Sequence, residues 1–117
     1  MTDIPPAVSP PPGPEIIDAL AAVIASRQGA DPATSYTAKL FGRGRGKIVQ
    51  KFGEEAFEVG VAALVESPEQ VVAESADVLY HLMVLWADVG VTPDRVWAEL
   101  ARRFGTSGID EKAARKK

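Results

Sequence analysis

Two acidic groups at helical spacing are where this chain could do chemistry. The first is Glu54, Glu55 and Glu58, within residues 53–58; the second is Glu74 and Asp77. Steps of three and four residues place each group on one face of a helix. Both groups sit inside segments that otherwise read as apolar core helix. Like charges at these spacings repel by roughly 0.2–0.5 kcal/mol per pair on an exposed helix, and by more once water is removed. Burying several carboxylates therefore requires compensating positive charge. Lys47 and Lys51 supply part of it. A hard divalent metal would supply more, and all-oxygen ligands select Mg²⁺, with Mn²⁺ as the alternative, over zinc or copper. Magnesium held this way keeps waters and completes its shell with substrate phosphates.

Just upstream lies a basic, glycine-rich stretch holding Lys39, Arg43, Arg45 and Lys47 among Gly42, Gly44 and Gly46. Its cations match a polyphosphate, and its glycines allow close backbone approach. A solvated connector has the same composition, so the stretch alone is weak evidence. It lacks the Gly-Lys-Ser/Thr ending of a phosphate-binding P-loop, which removes Walker-type nucleotide binding.

These residues need helices to position them. Aromatic content is 7% against 46% hydrophobic in total, so aliphatic residues and alanine fill the core, as suits helix packing. The expected fold is all-α, a small four-helix bundle-like domain over residues 15–104. Six prolines before Glu15 predict an extended, disordered tail over 1–14, with a polyproline ligand as the functional alternative. Residues 105–117 form a charged C-terminal tail. Ile16, Leu20, Val23 and Ile24 mark a first helix, and residues 29–46 read as a long connection. A second helix spans about 47–65. A third runs from Ser67-Pro68 to Gly90, and a fourth starts at Thr92-Pro93 with Val96, Trp97, Leu100 and Phe104 as its core. The third helix is apolar nearly all round, so Glu74 and Asp77 have little solvated face to occupy. A short turn at Ser67-Pro68 brings the two acidic stripes face to face.

Other chemistries are excluded. There is no cysteine for thiolate ligation, and the single His81 makes imidazole-based zinc binding a poor fit. His81 continues the acidic stripe and reads as a packing or supporting residue. Tyr36 and Tyr80 are candidates for stacking on a purine or for the core. A net charge of −3 gives no pull toward nucleic acid. No apolar run approaches the roughly 20 residues of a membrane span, and no secretory signal is present. A cytoplasmic protein is the expectation.

Glu-Glu-x-x-Glu followed by Glu-x-x-Asp resembles the all-α nucleoside triphosphate pyrophosphatase superfamily, the MazG-like proteins. Residues 35–40 (Ser-Tyr-Thr-Ala-Lys-Leu), 51–58 and 74–82, with the Gly-Thr-Ser-Gly tail, resemble its phosphoribosyl-ATP pyrophosphatase family of histidine biosynthesis. That resemblance implies hydrolysis of phosphoribosyl-ATP to phosphoribosyl-AMP and pyrophosphate, with Mg²⁺, in a homodimer. It implies Glu55, Glu58, Glu74 and Asp77 as metal ligands, with Glu54 as a further ligand or base. It implies Lys39, Lys47 and Lys51 as phosphate contacts. The alternatives are a house-cleaning nucleoside triphosphate pyrophosphatase and, in another class, a non-catalytic helical dimerisation module.

Overall fold

The computed structural model describes residues 13–115, so the expectation for the proline-rich tail lies almost wholly outside the described residues. Six helices follow in order: α1 (Ile16–Ser26), α2 (Tyr36–Arg43), α3 (Arg45–Val65), α4 (Pro68–Val89), α5 (Pro93–Arg103) and α6 (Gly108–Arg115). Among the described residues there is no strand, as the all-α expectation required.

The centre is the α3–α4 hairpin, the most extensive helix pair in the chain. Each helix is about 30 Å long at ~1.5 Å per residue. Local chemistry sets the turn between them. The Ser67 hydroxyl accepts the Gln70 N–H at 3.1 Å, and Pro68 occupies the first helical position. At its far end α4 stops at Gly90, whose φ of 81° is a left-handed conformation that glycine adopts without strain. α1 lies across α4, and α2 packs on α3 and α4. Leu20, Ile24, Leu40, Ile48, Tyr80, Met83 and Val84 form the buried core.

Three expectations change. The connection assigned to residues 29–46 contains α2 and the first two residues of α3. Ser35 caps α2 by accepting the Ala38 N–H at 3.0 Å, and Thr37, Ala38 and Leu40 are buried. Burial stabilises this short helix despite the glycines at its end. The expected core of α5 is not buried within the chain. Trp97 is held edge-on to Trp86 at 6.1 Å, but Leu100 is 55% and Phe104 90% exposed. Nor is α4 covered on every side, since Val72, Leu79 and Val89 are exposed.

α5 is also stabilised on its surface. Glu99 accepts from Arg102 Nη2 at 2.7 Å and Arg103 Nε at 2.9 Å. These bonds hold its carboxyl down to about 2 from an ordinary 4.5. A depressed carboxylate pKa contributes stability above the unfolded value and loses it as pH falls through the folded one. Lower protection of the α5 amides, relative to their intrinsic exchange rates, is therefore expected as pH falls from about 4.5 to 2. The change should be small because the pairs are exposed. NMR titration of the Glu99 carboxyl checks it, and an inflection at the ordinary value would refute it.

Candidate metal centre

The hairpin converts sequence spacing into a three-dimensional cluster. Glu55 from α3 and Glu74 and Asp77 from α4 each present a carboxylate oxygen, and these oxygens lie within 4.8 Å of one another. All three residues are partly buried. Glu58 stands one turn beyond Glu55 on α3; it is exposed and outside the group of three. Its charge is still felt there. Desolvation first, then the charges of Asp77, Glu55 and Glu58, push the Glu74 carboxyl above its ordinary range, against the amide of Gln70. That amide lies 3.5 Å from Glu74 Oε2.

Positive charge at the cluster is sparse. Lys51 Nζ is 3.8 Å from Glu55 Oε2 and 3.4 Å from Glu54 Oε1, so one ammonium serves two acids. Among the described residues, neither Glu74 nor Asp77 has a cationic partner. Converging oxygens, excess negative charge and no nitrogen or sulfur donor fit a hard divalent cation.

Glu54 lies apart from this group. It turns toward Gln50, whose amide donates to Oε2 at 2.8 Å, and toward Lys51. The Gln50 hydrogen bond, followed by Lys51 and Lys47, holds its carboxyl below the usual range. A lowered pKa makes it a weaker base. Lys47 is partly buried one turn before Lys51, and Lys39 is exposed on α2.

Tyr80 belongs to the core and cannot stack on a purine. It is 1% exposed and shares a 2.5 Å hydrogen bond with Thr37, which fastens α2 to α4. Tyr36 stacks on it with ring centroids 6.3 Å apart. His81 is fully buried, with Nδ1 2.9 Å from the Asp77 carbonyl oxygen. A carbonyl can only accept, so Nδ1 carries the hydrogen. The sequence reading missed Gln50 and Gln70, although each stands four residues before its glutamate, a spacing that favours such bonds. It also left Arg45 without a role. Arg45 Nε donates to Asp88 Oδ2 at 2.6 Å and Nη2 to the Asp88 carbonyl at 3.1 Å, closing the open end of the hairpin.

The phosphoribosyl-ATP pyrophosphohydrolase family matches residues 17–104, which include every carboxylate of the cluster. The chain belongs to this family. Its similarity to curated members is high. It is 69% identical over 103 residues to a phosphoribosyl-ATP pyrophosphatase of Paramagnetospirillum magneticum, covering 88% of this chain and 94% of that relative. A protein of the same name from Azospirillum brasilense is 58% identical, over 86% of this chain and 91% of its own. One from Gluconobacter oxydans is 54% identical, over 87% and 77%. Membership covers α1 to α5, so family-level chemistry bears on the cluster described above and not on a peripheral segment.

Proposed function

We propose that this chain is a Mg²⁺-dependent phosphoribosyl-ATP pyrophosphatase. It hydrolyses phosphoribosyl-ATP to phosphoribosyl-AMP and pyrophosphate in histidine biosynthesis. The observation that carries this reading is the convergence of Glu55, Glu74 and Asp77, short of positive charge, inside the segment that matches the family.

Glu55, Glu74 and Asp77, with Glu58 beside them, hold the cation. When bound, Mg²⁺ neutralises phosphate charge and acidifies a coordinated water. Lys51, fixed between Glu54 and Glu55, faces the same region and stabilises charge on the phosphates. Glu54 keeps Lys51 in place, and the Gln50 amide that lowers its pKa also occupies one of its oxygens. Lys47 extends the cationic face by one turn, and Lys39 adds a charge from α2.

The assembly is a homodimer. Val49, Phe57, Leu64, Val65, Val72 and Leu79 are exposed on the hairpin. An open groove of about 400 Å³ lined by Ala56, Val59, Ser75, Val78 and Leu79 runs between α3 and α4. A second copy covers this face. No helix of the described residues is long and apolar enough to cross a membrane. We place the enzyme in the cytoplasm.

Pyrophosphate release should be measured with phosphoribosyl-ATP and a panel of free nucleoside triphosphates. Clear preference for phosphoribosyl-ATP is expected, together with a saturable Mg²⁺ site by calorimetry. Faster turnover of free nucleotides would overturn the substrate assignment, and a flat titration would overturn the cation site.

A further inference from the structure

The cations of the glycine-rich stretch divide into two sets. Arg45 is engaged by Asp88, and Lys51 by Glu54 and Glu55. Lys39 and Arg43 are both exposed on α2, one helical turn apart and therefore on one face. Among the described residues neither has an acidic partner. The two like charges repel slightly at this spacing; the helix dipole favours Arg43 in the last turn of α2 but gives Lys39, a turn earlier, less. The surface around them is open. A Cβ added at Gly42 or Gly46 would meet nothing within 4 Å, and neither glycine has a positive φ. Glycine within a helix is unfavourable, and here neither backbone conformation nor packing within the chain requires it.

The substrate offers a reason for two cation sets. Phosphoribosyl-ATP carries phosphate at two separated places, its triphosphate and its added ribosyl group. Lys47 and Lys51 lie on α3 with the carboxylates. The α2 pair lies on a different helix, held in place by the Thr37–Tyr80 hydrogen bond. An arginine is the side chain best shaped to grip a terminal phosphate through two parallel N–H bonds.

We propose that Arg43, supported by Lys39, binds the phosphate of the phosphoribosyl group and so sets the preference for phosphoribosyl-ATP over free nucleoside triphosphates. This inference rests on the substrate reading above. A contact to a group that ATP lacks acts on selectivity.

The test compares wild type, Arg43→Ala, Arg43→Lys and Arg45→Ala, each with phosphoribosyl-ATP and with ATP. Arg43→Ala is expected to raise KM for phosphoribosyl-ATP about tenfold, with a much smaller change in kcat. The ratio of kcat/KM for phosphoribosyl-ATP over ATP should fall by a similar factor, and Arg43→Lys should restore part of it. Arg45→Ala should lower the thermal midpoint and leave that ratio unchanged. If Arg43→Ala alters only the thermal midpoint, the residue merely complements the end of α2 and the inference is overturned. A wild type that ignores phosphoribosyl-ATP would instead overturn the substrate reading itself, whatever the variants do.

Discussion

Asp77→Asn is expected to cut pyrophosphate release from phosphoribosyl-ATP by on the order of 10²–10³-fold, the usual loss when one preorganised charge-stabilising group is removed. The fold should survive. Asp77 is only partly buried, and the substitution keeps its size and removes one of the charges that push the Glu74 carboxyl upward. Without metal, the thermal midpoint should therefore stay level or rise. With Mg²⁺ the order reverses: wild type gains stability by mass action and the variant gains far less. Calorimetric titration and thermal unfolding with and without Mg²⁺ separate these effects. Equal Mg²⁺ stabilisation of both proteins would remove Asp77 from the cation site. A loss of activity accompanied by a collapsed midpoint without metal would instead make it a structural residue.

This prediction was within reach of the sequence because its geometry is local. Glu74 and Asp77 are one turn apart on α4, and Ser67-Pro68 is a strong start signal, so a tight α3–α4 hairpin had to bring Glu55 near them. α2 was harder to read. Its eight residues end among glycines, and what stabilises it is remote: burial of Thr37, Ala38 and Leu40 and a hydrogen bond to Tyr80, 43 residues away. The Arg45–Asp88 pair is equally non-local, so no spacing rule announces it. Gln50 and Gln70 show a different limit. Their spacing to Glu54 and Glu74 was visible, but which way each carboxylate turns depends on competition among Lys51, the glutamines and the neighbouring acids. The apolar pattern of α5 was read as a core face, yet Leu100 and Phe104 are exposed in the chain. Periodicity says that a face is apolar; it does not say whether the covering surface belongs to the same chain.

Phe57→Asp tests that last point most sharply. Phe57 is 72% exposed in the single chain, and a surface substitution of that kind ordinarily changes stability by no more than about 0.5 kcal/mol. A central aromatic anchor in a dimer is worth about 2 kcal/mol or more, and introducing a carboxylate there adds a desolvation penalty. At roughly 4–8 °C per kcal/mol for a domain of this size, the midpoint should drop by about 10 °C or more. Sedimentation should show monomer, and the wild-type midpoint should rise with protein concentration as dimerisation requires. Activity should fall as well, for a geometric reason. Phe57 lies two residues from Glu55, about 200° round α3, so the two side chains leave opposite sides of the same helix. Displacing that helix when the partner copy is lost disturbs the spacing of Glu55 from Glu74 and Asp77. A Phe57→Asp protein that stays stable, monomeric and active would show that a single copy suffices, and would leave the exposed hairpin face in need of another occupant.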